Sequence, residues 1–213
     1  MTYPHYLVLR GLLRPDFSIY YNVDDYTLYW PGQADAIRAL EAESVRSSIL
    51  TVCVANRRAE ELRARLPDLA DRIIHLPHGC PRTHLAERAW NRPAAGPESL
   101  HGRPRPWLGF IGSLEDRVDW SLLERLALAR PDATIALVGR ITPEVDEDWC
   151  RERARCLALP NVKHLGWCAQ DQVAAHYASF DVCLIPYRVD HPFNLACCPT
   201  KILDAMGSGR PIV

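Results

Sequence analysis

PWLGFIGSLEDRVDWSLLERLALARPDATIALVG, residues 106–139, is the stretch that decides the fold. WLGFIG (residues 107–112) is an apolar run that ends in a glycine turn and reads as a strand. WSLLERLALAR (120–130) repeats its apolar residues at helical spacing, and TIALVG (134–139) is again an apolar strand ending in glycine. A strand, a helix and a second strand joined in this way imply two parallel neighbours in a sheet covered by helices. The pattern continues downstream with VKHLGW (162–167) as a short strand, DQVAAHYASF (171–180) as a helix and DVCLIPY (181–187) as a strand. A helix over 199–208 follows, and GRPIV then opens what reads as a central or near-central buried strand.

Upstream lies a second block of the same kind. YLVLR (6–10), FSIYYNV (17–23), ILTVCVA (49–55) and RIIHL (72–76) read as strands from their β-branched and aromatic content. GQADAIRALEAESVRSS (32–48) and RRAEELRARL (57–66) read as helices, the first with Ile37, Leu40, Ser44 and Val45 on one face. Between the blocks, residues 81–106 carry five prolines (81, 93, 97, 104 and 106) and lose all periodicity, as a linker does. The expected organisation is a first α/β region over 1–80, a linker over 81–105 and a second parallel-sheet domain over 106–213.

Composition narrows the function classes. Hydrophobic residues make up 48% and charged residues 24% of the 213 positions, the balance of a folded globular chain. The 25 basic and 26 acidic residues leave a net charge of -1, which gives no bulk attraction for nucleic acid or a membrane surface. The longest clean apolar run, 49–55, falls far short of the roughly 20 residues a membrane-spanning helix needs. The opening MTYPHYLVLRG lacks the long apolar stretch of a secretion signal. Eight cysteines without a C-x-x-C pair, several inside apolar runs, read as reduced thiols of a cytoplasmic protein. His75, His78 and Cys80 in HLPHGC have no second ligand pair at a recognised spacing, so no metal is expected.

Ligands of open parallel sheets bind at the carboxyl ends of the strands. Gly112 and Ser113 follow the first strand of the second block, Gly139 and Arg140 the next, Gly166 and Trp167 the third. Glycine there either makes a tight turn or lets a phosphate or a planar base approach the backbone. CCPTKILDAMGSGRPIV (197–213) is the strongest feature: Pro199 suits a helix start, and the free N–H groups around Cys198 to Lys201, that of Thr200 included, would face the cleft. Lys201 in a first helical turn opposes the helix dipole, a conflict that a bound diphosphate would resolve. Asp204, one turn on, can accept hydrogen bonds from ribose hydroxyls. Asp24 and Asp25 in YYNVDDY follow a strand and are candidates either for catalytic or sugar-positioning acids or for turn caps.

These blocks resemble GT-B glycosyltransferases, specifically the retaining group 1 (family 4-like) branch that builds bacterial surface polysaccharides. Residues 106–139 are similar to the opening of that family's donor-binding domain. LPNVKHLGW, SFDVCLIPY and PTKILDAMGSGRPIV match its later blocks in order and spacing, and 20–26 and 72–80 look like the end of its acceptor domain. The resemblance implies a GT-B-like, Rossmann-like donor domain preceded by the tail of a second such domain, with incomplete ends. It implies sugar transfer from a nucleotide diphosphate sugar to a carbohydrate or lipid-linked acceptor, with retention of configuration. It further implies a phosphate turn at Gly112 and Ser113, base contacts near Gly166, a diphosphate held by backbone and Lys201, and no cofactor beyond the donor substrate. Peripheral membrane association would fit a lipid-linked acceptor. Asp204 stands where the family usually has a glutamate, and Ala196, eight residues earlier, where many relatives have another acid. Those departures, with the missing ends, lead to the expectation that the chain alone transfers no sugar. A non-catalytic nucleotide-sugar binding or scaffold subunit, completed by another chain, is the alternative. A nucleotide-sugar epimerase shares the fold. An NAD enzyme is disfavoured because no G-x-G-x-x-G follows a strand.

Overall fold

The computed structural model describes residues 1–80, 82 and 96–213. It divides into two compact units, one of Met1–His78 with Val189–Cys198, the other of Gly79–Arg188 with Pro199–Val213. Most of the expected linker (81 and 83–95) lies outside the described residues.

In the first unit, helix α1 (Leu7–Leu13) precedes strand β1 (Ile19–Asn22), helix α2 (Ala34–Arg46), strand β2 (Leu50–Cys53), helix α3 (Asn56–Arg65) and strand β3 (Ile73–His75). The sheet runs β1-β2-β3, all parallel, with Tyr20 opposite Thr51 and Val52 opposite Ile74. Parallel pairing follows from the helix that returns the chain between successive strands. Tyr20, Val45, Cys53, Ala59, Leu62 and Ile73 form its core.

Residues 6–10 correct the expectation of a strand, because Leu7–Leu13 is helical. A strand must find a sheet edge for its N–H and C=O groups. The edge beside β1 is taken by Met1, whose ammonium donates to Ile19 O at 2.7 Å and whose carbonyl accepts from Tyr21 N–H at 2.7 Å. Residues 7–13 satisfy their backbone internally instead, and leave Val8, Leu12 and Leu13 exposed.

In α2 the buried positions are Ile37, Glu41, Ser44 and Val45, at helical spacing. Glu41, not Leu40, completes that face. It accepts from Tyr20 Oη (3.3 Å), Asn22 Nδ2 (3.1 Å), Arg58 Nη2 (2.8 Å) and Arg65 Nη1 (2.9 Å), so the carboxylate enters the core with its partners.

The second unit contains β4 (Trp107–Ile111), α4 (Trp120–Ala129), β5 (Thr134–Val138), α5 (Asp148–Leu157), β6 (Val162–His164), α6 (Val173–Ser179) and β7 (Val182–Cys183). Helix α7 (Pro192–Ala196) belongs to the first unit, and α8 (Thr200–Gly207) returns to the second. The four strands lie in the order β6-β5-β4-β7, all parallel. Every residue of β4 and β5 is buried, as their unbroken apolar runs require of a sheet covered on both faces. Leu108, Phe110, Ile135 and Leu137 pack on one face with Trp120 and Leu123 of α4. Trp107, Ile111, Ala136 and Val138 pack on the other with Tyr177, Phe180 and Ala205. Asp119 caps α4, its Oδ1 accepting from Leu122 N–H at 2.8 Å.

Further corrections concern extents. The strand read over 162–167 stops at His164, and that over 181–187 is regular only at Val182–Cys183. The final helix begins at Thr200, with Pro199 as its N-cap. Among the described residues, 211–213 lie along the outer side of β7 rather than at the centre of the sheet: Cys183 bridges Ile212 in parallel, Cys183 N–H donates to Pro211 O at 2.8 Å and Val213 N–H to Cys183 O at 3.0 Å. Helix α5 (DWCRERARCL) escapes sequence reading because Arg153 sits in the middle of its buried side, between the pairs Trp149–Cys150 and Cys156–Leu157. Its buried side is Cys150, Arg153 and Cys156.

Candidate functional site

The exits of β4, β5 and β6 interlock through their glycines. Gly112 N–H donates to Val138 O at 2.9 Å, and Gly139 N–H donates to Gly166 O at 2.8 Å. Gly139 has φ +145°, and a Cβ there would lie 1.8 Å from the carbonyl oxygen of Gly112, so only glycine fits this crossing. Gly166 turns the chain with φ +78°. A ring nitrogen of His164 lies 2.8 Å from Gly139 O and adds a side-chain contact at the same junction.

A cavity of about 300 Å³ opens over these strand ends. Of the residues singled out in the sequence, it brings together Gly112, Ser113, Gly139, Arg140, Trp167, Thr200, Lys201 and Asp204. Gly166 and Pro199 are not on its wall but immediately precede Trp167 and Thr200, which are. Asp24 and Asp25 belong to the first unit. Asp25 Oδ1 accepts from Thr27 N–H at 3.0 Å and from Thr27 Oγ1 at 2.6 Å, the geometry of a cap, and its Oδ2 lies 3.5 Å from Arg58 Nη1. Asp24 Oδ2 accepts from Tyr29 Oη at 3.0 Å.

Helix α8 points its N-terminus into the cavity. Its first helix-closing bond runs from Ile202 N–H to Pro199 O (3.2 Å), so the helix offers no acceptor to the N–H groups of Thr200 and Lys201. Among the described residues no side chain caps that end. The Lys201 stem lies across Gly112, close enough that a Cβ on Gly112 would be 2.3 Å from Lys201 Cε. Lys201 Nζ is 6.0 Å from the centroid of the Tyr187 ring, which Arg117 also approaches at 5.2 Å. Arg140 stands 5.2 Å from the ring of Trp167, an indole that remains 62% exposed. An anion entering here meets free N–H groups, the positive end of a helix and an ammonium, and a planar group finds an exposed aromatic face.

Sequence reasoning missed Tyr177. Tyr177 reads as an ordinary core residue of an amphipathic helix, yet its hydroxyl donates to Lys201 O at 3.3 Å and fixes the first turn of α8. Burial pushes the Tyr177 phenol well above its ordinary range, and the charge of Asp204 acts in the same direction. No three His, Cys, Asp or Glu side chains converge on a metal-binding arrangement among the described residues. Among them, too, no helix is long and apolar enough to cross a membrane.

The family model described as Glycosyl transferases group 1 matches residues 105–213, just over half of the chain, and the chain belongs to that family. Among curated proteins it is similar to the putative teichuronic acid biosynthesis glycosyltransferase TuaH of Bacillus subtilis (strain 168). The two are 25% identical over 220 residues, covering 100% of this chain and 53% of that protein. Among solved structures it is similar to Anabaena Alr3699/HepE in complex with UDP, with TM-score 0.69 and 17% identity over 96% of this chain and 54% of that one. It is also similar to WaaG, a glycosyltransferase involved in lipopolysaccharide biosynthesis, with TM-score 0.66 and 15% identity over 98% of this chain and 62% of that one. The fold is therefore of the GT-B type. The chain spans about half the length of the curated relative it matches.

Proposed function

We propose that this chain supplies the donor-binding part of a glycosyltransferase that moves a sugar from a nucleoside diphosphate to a carbohydrate acceptor in surface-polysaccharide or glycolipid synthesis. The observation that carries the reading is the placement of Lys201. Its stem crosses Gly112 at the uncapped N-terminus of α8, inside the cavity formed by three strand ends. In this reading the diphosphate sits against the Thr200 and Lys201 N–H groups, the Ser113 hydroxyl and the Lys201 ammonium, all without a metal ion. The base lies toward Trp167 and Arg140, and Asp204 receives the ribose hydroxyls. Charge builds on the departing diphosphate as the sugar leaves, so preplaced donors lower the barrier to transfer. The similarity to TuaH and WaaG supports a cell-surface glycan as the product class, and the reaction belongs in the cytoplasm, where nucleotide sugars are made. Peripheral contact with a membrane would follow if the acceptor is lipid-linked.

Calorimetry with UDP, GDP and ADP at millimolar concentration tests this. At least one should bind the folded chain, and heat from none of them would overturn the proposal. Lys201→Ala should weaken the bound diphosphate by about 1.5–3 kcal/mol, the scale of a hydrogen bond to a charged group, and leave the matching nucleoside nearly unaffected. Equal losses for both would assign Lys201 to folding instead.

A further inference from the structure

Arg153 of α5 is only 2% exposed, and its guanidinium meets no carboxylate among the described residues. Its Nη1 donates to Leu114 O at 3.0 Å, Thr142 O at 3.0 Å and Thr142 Oγ1 at 3.1 Å. The ring of Trp149 lies 5.0 Å from its Cζ. Arg58, the buried arginine of the first unit, is matched very differently, with Glu41 at 2.8 Å and Glu61 at 2.7 Å. Burying a cation costs several kcal/mol unless partners compensate. An apolar side chain of similar length would fill the same space without that cost. What the arginine adds is one terminal nitrogen, Nη1, held between carbonyls of two different loops by a planar group that its own helix fixes through Nη2 and Cys150 Sγ at 3.9 Å.

Those loops are the ones that leave β4 and β5. Leu114 follows Ser113 directly, and Thr142 comes two residues after Arg140. The same loops touch through Leu114 N–H to Arg140 O at 2.9 Å and a parallel bridge between Leu114 and Ile141. At the root of the same two loops lies the crossing of Gly139 over Gly112, where there is no room for a methyl group. We propose that Arg153 is a positioning residue for the cavity: it clamps the Gly112–Ser113 loop to the Gly139–Arg140 loop and sets the gap that receives the phosphates of the donor. The proposal rests on reading the cavity as a nucleotide site. It assigns Arg153 no contact with the ligand.

The test compares Arg153→Met, Arg153→Lys and Thr142→Val in the full chain. Amide hydrogen exchange is measured without ligand, and binding of UDP, GDP and ADP is measured by calorimetry. In Arg153→Met the Leu114 and Thr142 amides should exchange faster while those of β4 and α4 keep their protection. Diphosphate affinity should fall about ten-fold, the scale for residues that orient a ligand-binding group from behind, with the matching nucleoside little changed. Arg153→Lys, which retains a charged donor, should restore part of both losses. If Arg153→Met does not fold, Thr142→Val, which removes one acceptor from the clamp and also the Thr142 Oγ1 bond to Leu114 O at 3.2 Å, should show the same local pattern, and Arg153→Lys, which leaves that bond in place, must show it too for the assignment to Arg153 to stand. Unchanged exchange at Leu114 and Thr142 in a folded variant would overturn the clamp, as would a loss of protection spread evenly through β4 and α4. If the wild-type chain binds none of the three nucleotides, the nucleotide reading fails, and the exchange result still decides whether Arg153 holds the loops.

Discussion

Gly139 crosses directly over the peptide of Gly112, with its own Cα so placed that a methyl group would fall 1.8 Å from the Gly112 carbonyl oxygen. The exits of the two central strands are thereby locked together, and the backbone at Gly139 (φ +145°) is one that other residues avoid. Gly112 is crowded for a different reason, because a Cβ there would lie 2.3 Å from Cε of the flexible Lys201 stem and 2.8 Å from Cζ of the Phe110 ring.

The two glycines should therefore fail differently. Gly139→Ala collides with backbone on both counts and should cost at least about 3 kcal/mol of stability in the second unit. Gly112→Ala can be accommodated by swinging Lys201 outward and nudging Phe110, for about 1–2 kcal/mol. It should still lose most diphosphate binding, since the ammonium leaves its place. Denaturant unfolding paired with calorimetry distinguishes the two, and equal destabilisation would show that Lys201 is not the yielding neighbour.

Glu41 anchors the first unit from inside. It is 2% exposed and receives Arg58, Arg65, Tyr20 and Asn22. Glu41→Ala should destabilise that unit by about 3 kcal/mol, the low end for breaking a buried pair, because Arg58 keeps Glu61. Hydrogen exchange of the β1 and β2 amides reports it. A loss below about 1 kcal/mol would place the network with ordinary surface pairs.

Alkaline stability should follow the buried thiols. Burial pushes Cys53 and Cys156 up to about 12 and Cys183 up to about 11, from an ordinary value of 9.0. A thiol that ionises at a higher pH when folded favours the folded state below pH 9, and that advantage is lost as pH climbs toward 11–12. Each such thiol should remove about 1.4 kcal/mol per pH unit in that window. Denaturant midpoints between pH 8 and 11 measure the slope, and Cys156→Ala should flatten it for the second unit. Alkylation at pH 8 should leave all three thiols unmodified until the chain unfolds. A flat alkaline limb with ready labelling would contradict their burial.

The order of strands and helices was legible in the sequence because parallel strands buried on both faces must be continuous apolar runs, as 107–111 and 134–138 are. The cavity was legible too, since glycines at strand exits and a lysine in a first helical turn are choices that local structure alone does not favour. Residues 6–10 were misread because Leu and Val serve either a strand or a helix, and only the occupation of the β1 edge by Met1 settles which. Helix α5 escaped because its buried side is built from Cys150, Arg153 and Cys156, polar or ambiguous letters that become core only when Leu114 and Thr142 supply the acceptors. Asp25 shows the same dependence: nothing in YYNVDDY tells that Thr27 and Arg58 come to its oxygens. The sequence by itself determined the periodicities and the backbone freedoms, which are local properties of each residue. Which polar groups are buried, and which loops Arg153 and Lys201 reach, was decided by the tertiary structure alone, because a hydrogen bond between residues 39 positions apart has no signature in either neighbourhood.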